Sequence, residues 1–196
     1  MSSQLHKEDN SLLEMMTDLN LQNVNKFLEI TGILKRIPRT GWVEVGIYQP
    51  ESVADHSFRT AFLCMLYADM EGLDPLKMLR MALIHDLPEA VIGDLMPSQK
   101  TAQTKEEEKK AIHKILGLLP KRQMENYLEV WNEYEEGKTR EAKAVRQLEK
   151  IEMALQAKEY KSLGAPQNLN QFIRTAKEAI IWSDLKRLLF YVSEEK

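Results

Sequence analysis

Four polar side chains interrupt an apolar segment midway along this chain of 196 residues. His85 and Asp86 follow the apolar run MALI, and Glu89 and Asp94 come shortly after them in the stretch MALIHDLPEAVIGD. Either these groups are exposed and incidental, or a ligand holds them, because burying them without partners costs several kcal/mol. Imidazole and carboxylate groups suit a divalent transition metal, so the stretch favours a metal site.

His56 is the second source of a metal ligand. It lies in the segment ESVADHSFRTAFLCMLYA, which is apolar almost all round and predicts a central, buried helix over residues 52–71. An antiparallel neighbour would bring His56 to His85 and Asp86, and Pro88 ends that neighbour because proline disfavours a helical preceding residue. A lone buried histidine is more often a hydrogen-bonded core residue than a ligand, so the prediction depends on the combination.

The elements that must hold these residues are helices. Apolar residues recur at helical spacing from Val24 onward, and helix-start signals occur at Asp74, Thr104 and Thr139. The connector RIPRTGWVEVGIYQPES carries two prolines and two glycines and has no helical period. It could hold a short extended piece, which would be too isolated to build a sheet. We therefore predict an all-α, single-domain bundle of about six to eight helices.

The composition excludes several classes of partner. A formal net charge of −3 gives no basic excess, so we expect no nucleic-acid polymer and no membrane surface as partner. No run approaches the ~18 apolar residues of a membrane helix, and the first twenty residues do not resemble a signal peptide. The single cysteine, Cys64, predicts a buried small hydrophobic residue in a reducing compartment. We expect a cytoplasmic protein.

Taken together, the motifs resemble those of the HD-domain metal-dependent phosphohydrolases, whose signature is a His, then a His-Asp pair, then a later Asp. The small 5'-deoxynucleotidase group of that superfamily is the most similar. The resemblance lies in LKRIPRTGW, PESVADHS, ALIHDLPEAVIGDLMP and RQLEKIEMALQAKEY, which span about two thirds of the chain. It implies an HD-domain helical bundle, which we place with its C-terminal helices over residues 21–196, and the polar residues 1–20 predict a flexible N-terminal extension.

The resemblance also implies the metal ligands. His56, His85 and Asp86 match the family's signature, but Glu149 stands where the family has its last aspartate. Glutamate carries the same carboxylate on a stem one methylene longer, so it can bind the metal or change which metal is preferred. Alternatively, Glu149 is a surface residue and the site has three protein ligands. Glu152, one turn further along, is a weaker candidate.

The same resemblance implies roles in substrate binding. Glu89 would orient or deprotonate the attacking water, and Asp94 would contact the 3'-hydroxyl of a nucleotide sugar. Trp42 would pack near the sugar and disfavour a 2'-hydroxyl, while Arg36 or Arg39 would meet the phosphate. Three of these residues also have a structural interpretation. Glu89 could be an exposed first-turn glutamate, Asp94 a turn or N-cap residue, and Trp42 a hydrophobic residue that fills space in the connector.

The implied function is that of a metal-dependent phosphomonoesterase. It would hydrolyse 2'-deoxynucleoside 5'-monophosphates to deoxynucleoside and phosphate with one divalent transition metal ion, Mn, Co, Fe, Ni or Zn. The alternatives are an HD-type phosphohydrolase of another nucleotide (cyclic, triphosphate or alarmone) and a weakened-site nucleotide-binding or interaction protein. The helical spacing of Tyr127, Trp131 and Tyr134 predicts that they lie in the core or on a dimer surface, and with the resemblance it leads us to expect a homodimer.

Overall fold

The computed structural model describes residues 18–165 and 168–193, so most of the expected N-terminal extension lies outside the described residues. The α-helices of the described part are, in chain order, α1 Asp18–Ile33, α2 Thr40–Glu44, α3 Val53–Glu71, α4 Pro75–Ile84, α5 Glu89–Ile92, α6 Ala102–Leu116, α7 Lys121–Glu136, α8 Arg140–Ser162, α9 Asn170–Ala179 and α10 Ser183–Ser193. Two 3-10 turns cover Leu34–Arg36 and Pro97–Gln99. Eight of these α-helices have ten residues or more, and the described chain contains no strand, which confirms the predicted all-α bundle.

Helix α8 lies at the centre of the bundle and packs against α3, α4, α7, α9 and α10. Its residues Ala144, Leu148, Ile151 and Ala154 are all fully buried. Because the distance between packed helices depends on the side chains at their contact, the alanines let neighbouring helices approach α8 closely. The central helix is therefore the one that carries Glu149, whereas the sequence pattern had predicted a central helix over residues 52–71.

Helix α3 is buried on one face only, which corrects that prediction. His56, Thr60 and Cys64 point into the core, as expected for Cys64. On the opposite face, Phe58 is 64% exposed and Phe62 is 53% exposed. An apolar residue count cannot distinguish a buried helix from one with an exposed apolar face, so the pattern alone was misleading here.

Burial decides between the two interpretations of the aromatic residues of α7. Trp131 and Tyr134 are buried, and Tyr127 is partly buried against the core. They are core residues, which was one of the two interpretations of their spacing. They do not form the exposed aromatic surface on which the expectation of a homodimer had partly relied.

Capping interactions fix where the site-bearing helices begin. The Ser52 hydroxyl accepts the backbone N–H of Asp55, and the Asp55 carboxylate accepts the backbone N–H of Ser52, which forms a capping box at the start of α3. Asp74 and Thr139 cap α4 and α8 as predicted. Helix α6 begins earlier than predicted, because its N-cap is Thr101 and not Thr104.

The connector between α1 and α3 contains one element that its sequence did not predict, the short helix α2. The connector is attached to the start of α3 by an isolated antiparallel bridge between Pro38 and Ser52. The backbone N–H of Arg39 donates to the Glu51 carbonyl at 3.0 Å. The backbone N–H of Thr40 donates to the Asp94 carboxylate, so a contact from a distant segment begins α2. Tertiary contacts, rather than local propensity, therefore shape this segment.

No helix in the described ranges is both long and apolar enough to cross a membrane.

The burial pattern predicts a large difference between two leucine-to-alanine substitutions. Leu148→Ala, in the centre of α8, should lower the free energy of unfolding by about 2–5 kcal/mol, because it leaves a cavity. Leu28→Ala, at a position 58% exposed on α1, should change it by about 0.5 kcal/mol or less. Urea denaturation followed by circular dichroism measures both, and equal losses would contradict the assigned core.

Candidate metal centre

Two helices bring three of the sequence-predicted ligands together. His56 lies in the first turns of α3, while His85 and Asp86 lie in the turn that follows α4. Oδ2 of Asp86 is 3.0 Å from Nε2 of His85 and 4.0 Å from Nε2 of His56. The three residues offer ligand atoms that all lie within 4.8 Å of one another, so they could hold one metal ion.

Hydrogen bonds at the far side of each imidazole determine which nitrogen faces the cluster. Nδ1 of His85 is 2.9 Å from the Ala82 carbonyl oxygen, and Nδ1 of His56 is hydrogen-bonded to the Glu152 carboxylate. Both partners accept hydrogen bonds, so each Nδ1 carries the hydrogen. In the neutral rings, each Nε2 therefore carries the lone pair and lies within 4.0 Å of Oδ2 of Asp86, as a shared metal site requires.

Three buried acceptor atoms in this region have no hydrogen-bond partner among the described residues. They are Nε2 of His85, Oδ2 of Asp86 and Oε2 of Glu89. A buried acceptor without a partner costs about 1–3 kcal/mol, and three neighbouring ones are unusual. A divalent cation and its water would satisfy all three, and the nitrogen and oxygen donors suit a transition metal. The residues present therefore fit a metal ion.

Glu149, on α8, lies beside this cluster. Its Oε2 is 3.6 Å from Nε2 of His85 and accepts a hydrogen bond from the Tyr134 hydroxyl at 2.7 Å. Its Oε1 is 2.9 Å from Nζ of Lys150. Burial opposes ionisation, but Lys150 and His85 outweigh it and lower the pKa of Glu149 to about 2. Glu149 is thus an anionic carboxylate at the edge of the cluster and not an exposed surface residue.

Glu89, at the start of α5, is buried. Burial, followed by the neighbouring carboxylates of Asp86 and Asp94, raises the pKa of Glu89 to about 10. A cation bound at the histidine cluster would lower this pKa again, because positive charge favours the ionised carboxylate. The exposed first-turn glutamate, which was the structural interpretation of this residue, is therefore excluded.

The structure brings one of the two candidate arginines to the site. Nη1 of Arg39 is 2.9 Å from Oδ1 of Asp94 and 3.5 Å from Oδ2 of Asp86. Burial opposes its charge, but Asp86 and Asp94 raise the pKa of Arg39. Arg36 is exposed on the 3-10 turn that follows α1, and it does not line the cavity described below.

Trp42 is held by its neighbours in an almost fully buried position. Its Nε1–H donates to Oε1 of Glu51 at 2.8 Å. Its ring centroid is 5.2 Å from that of Tyr160 and 4.0 Å from that of Phe172. The remaining surface of Trp42 lines the cavity.

A cavity of about 440 Å³ lies beside the cluster, and its volume is within the usual range for small-molecule sites, although His56 and His85 themselves do not line it. The predicted residues that line it are Arg39, Trp42, Asp86, Glu89, Asp94 and Glu149. Several other lining residues were not predicted from the sequence, among them Lys100, Tyr134, Lys150, Met153, Gln171 and Thr175. The positions of Lys150 and Met153 on the helix of Glu149 were the available signals, because Lys100 lies in the segment before α6 and the others reach the cavity only through packing of α7 and α9.

An all-α bundle in which two buried histidines and an aspartate converge beside a cavity defines a helical protein with a candidate metal site. The HD domain family model matches residues 31–186, and the chain belongs to this family. It is 35% identical over 179 residues to the 5'-deoxynucleotidase HDDC2 of Danio rerio, covering 90% of this chain and 89% of that protein. It is 41% identical over 140 residues to the 5'-deoxynucleotidase HDDC2 of Homo sapiens, covering 70% and 68%. A conserved hypothetical protein from Pyrococcus furiosus has a similar structure, with a TM-score of 0.71 and 37% identity over 85% of this chain and 97% of that one.

Removing one imidazole should abolish tight metal binding. His85→Ala should weaken the binding of Mn²⁺ or Co²⁺ by at least ~100-fold, because it removes one of the three proposed ligands and alanine offers no donor atom in its place. His113→Ala, at an exposed histidine of α6, is the matched control and should bind as the unaltered protein does. Isothermal titration of metal-stripped protein measures both affinities, and similar values for the two variants would rule out the cluster.

Proposed function

We propose that this protein hydrolyses 2'-deoxynucleoside 5'-monophosphates to the deoxynucleoside and inorganic phosphate, using a metal ion held by His56, His85 and Asp86. The observation that carries the proposal is a group of three buried acceptor atoms without hydrogen-bond partners, two of which, in Asp86 and Glu89, belong to residues that line the 440 Å³ cavity. Membership of the HD domain family and similarity to proteins named 5'-deoxynucleotidases support the substrate class.

The chemistry is divided among the residues around the cluster. A divalent ion, when bound, would supply Lewis acidity that lowers the pKa of a water and polarises a phosphoryl oxygen. Glu89 has a buried, unpartnered Oε2 that can align the attacking water or take its proton. Arg39, held beside Asp86, offsets the negative charge that spreads over the phosphate oxygens.

The sugar would be recognised by Asp94 and Trp42. Asp94 already accepts hydrogen bonds from Arg39 and Thr40, and its fixed carboxylate has further lone pairs for the 3'-hydroxyl. The indole N–H of Trp42 is taken by Glu51, so its ring offers only an apolar surface to the cavity. A 2'-hydroxyl packed against this surface would lose water without gaining a partner, which disfavours ribonucleotides.

Glu149 is our candidate for a fourth metal ligand. Its Oε2 lies 3.6 Å from Nε2 of His85, and its longer stem leaves room for a small rotation towards the cluster. The contacts with Tyr134 and Lys150 would then hold the carboxylate at a defined distance from the metal ion. The donor set suits Mn, Co, Fe, Ni or Zn without selecting one of them.

Phosphate release from a panel of deoxyribonucleoside and ribonucleoside 5'-monophosphates tests the function. Metal-stripped protein should be inactive and should regain activity when Mn²⁺ or Co²⁺ is added back. Deoxyribonucleotides should be preferred by kcat/KM. Glu89→Gln should lower kcat by ~10²–10⁴-fold and weaken Co²⁺ binding far less, because Glu89 acts on water and is not a ligand of the metal.

Glu129→Gln, at an exposed position of α7, is the control for the glutamate substitution and should keep full activity. Equal loss of turnover and of metal affinity in Glu89→Gln would contradict the role given to Glu89. Metal-dependent hydrolysis of a cyclic nucleotide, a triphosphate or an alarmone in place of the monophosphates would move the assignment to another HD-type reaction. Folded protein without any metal-dependent turnover would favour a binding role.

We also propose that the protein forms a homodimer through α3. Phe58, Phe62, Leu66 and Met70 recur every four residues on its outer face, and each is more than half exposed. Single exposed apolar residues are common, but four large ones along one helix form a patch that marks an interface. In a symmetric dimer the patch of one subunit would pack against the same patch of the other.

We propose a cytoplasmic location as well. The buried free thiol of Cys64 agrees with a reducing compartment.

A charge placed in this patch should separate the subunits. Phe62→Glu should convert the protein to a monomer, because the carboxylate would have to be buried without a partner. Leu28→Glu, on the outer face of α1, is the control and should remain dimeric. Analytical ultracentrifugation gives both molar masses. A monomeric unaltered protein would overturn the proposal, and a dimeric Phe62→Glu would assign the interface to another face.

A further inference from the structure

The side of His56 that faces away from the cluster is bound by a buried carboxylate. Glu152, one turn beyond Glu149 on α8, has no exposed surface. Its Oε2 is hydrogen-bonded to Nδ1 of His56. An isolated buried carboxylate is very unfavourable, so Glu152 needs partners for both of its oxygens.

Arg59 supplies the second partner. It lies one turn after His56 on α3, and its Nε donates to Oε1 of Glu152 at 3.0 Å, while its Nη2 is 2.9 Å from the same oxygen. On its outer side, Arg59 contacts Glu159 and Gln156. The two oxygens of Glu152 are therefore divided between His56 and Arg59, and the geometry of all three side chains is fixed.

We propose that Glu152 is a positioning residue for the metal ligand His56, and that Arg59 holds Glu152 in place. The hydrogen bond to Nδ1 fixes the tautomer in which Nε2 carries the lone pair, and it fixes the ring plane. The negative charge behind the ring makes Nε2 a stronger donor to a cation, as carboxylates do behind other metal-binding histidines. The inference rests on the metal site proposed above.

A second cation site is the main alternative for these residues. Glu51, His56 and Glu152 also offer atoms within 4.8 Å of one another. However, Nδ1 of His56 and both oxygens of Glu152 are already engaged, and the guanidinium of Arg59 supplies the positive charge. Oε1 of Glu51 accepts from Trp42. The contacts therefore favour a positioning role, which predicts one metal ion per chain.

Titration of metal-stripped protein with Co²⁺ tests the proposal, with calorimetry for affinity and stoichiometry and visible absorption for the geometry of the ion. Glu152→Gln keeps the shape of the side chain but removes the charge. It should weaken Co²⁺ binding by ~10–100-fold and alter the absorption bands, with the stoichiometry unchanged at one. A circular dichroism spectrum and a melting curve establish that the variant is folded.

Glu159→Gln is the matched control. Glu159 lies on the same helix and contacts the same arginine, but it is half-exposed and does not touch His56. Its substitution should leave the affinity for Co²⁺ and the absorption bands unchanged. If Glu152→Gln does not fold, Arg59→Gln takes its place: the loss of the guanidinium should weaken Co²⁺ binding in the same direction, and unchanged binding would overturn the proposal.

The outcomes separate this proposal from the metal site itself. Tight Co²⁺ binding that is lost in His85→Ala but unchanged in a folded Glu152→Gln would overturn the role of Glu152 alone. No Co²⁺ binding by the unaltered protein would overturn both proposals. Two ions per chain, of which Glu152→Gln loses one, would assign Glu152 to a second cation site and also overturn the positioning role.

Discussion

The structure depends on one electrostatic constraint: two acceptor atoms are buried face to face beside the cavity. Nε2 of His85 and Oδ2 of Asp86 are 3.0 Å apart. In the neutral ring their lone pairs repel each other, so a positive charge must lie at this point. Without metal, a proton on Nε2 can supply that charge: burial opposes it, but Asp86 and Glu149 outweigh burial and raise the pKa of His85. Protons and metal ions therefore compete for this nitrogen.

The rest of the fold holds this unfavourable arrangement together. The capping box at Ser52 fixes the start of α3 and thus the position of His56 along the helix. Helix α8 supplies Glu149 next to His85 and Glu152 next to His56. Hydrogen bonds from Arg39 and Thr40 to Asp94 hold together a further part of the cavity lining. No single helix could position these groups, because each contributes one or two side chains.

The basic side chains of the cavity are paired with carboxylates. Each basic side chain that lines it already has an acidic partner: Arg39 with Asp94 at 2.9 Å, Lys100 with Glu108 at 2.8 Å, and Lys150 with Glu149 at 2.9 Å. A phosphate that enters must compete with these carboxylates for the cations. Such pre-formed pairs hold the basic groups in fixed positions, which lowers the entropy lost when a substrate is bound.

The sequence by itself determined the all-α class, the His56 and His85-Asp86 combination, and the candidate roles of Glu89, Asp94, Trp42 and Glu149. These features depend on local periodicity and on motifs, which are visible in one dimension. Only the tertiary structure decided the choice of Arg39 over Arg36 as the cavity arginine, the tautomers of both histidines, and the exposed face of α3. It also brought Tyr134 to Glu149 and Arg59 to Glu152. These contacts join side chains that are distant in the chain, so their geometry follows from how the helices pack and not from the pattern within any one of them.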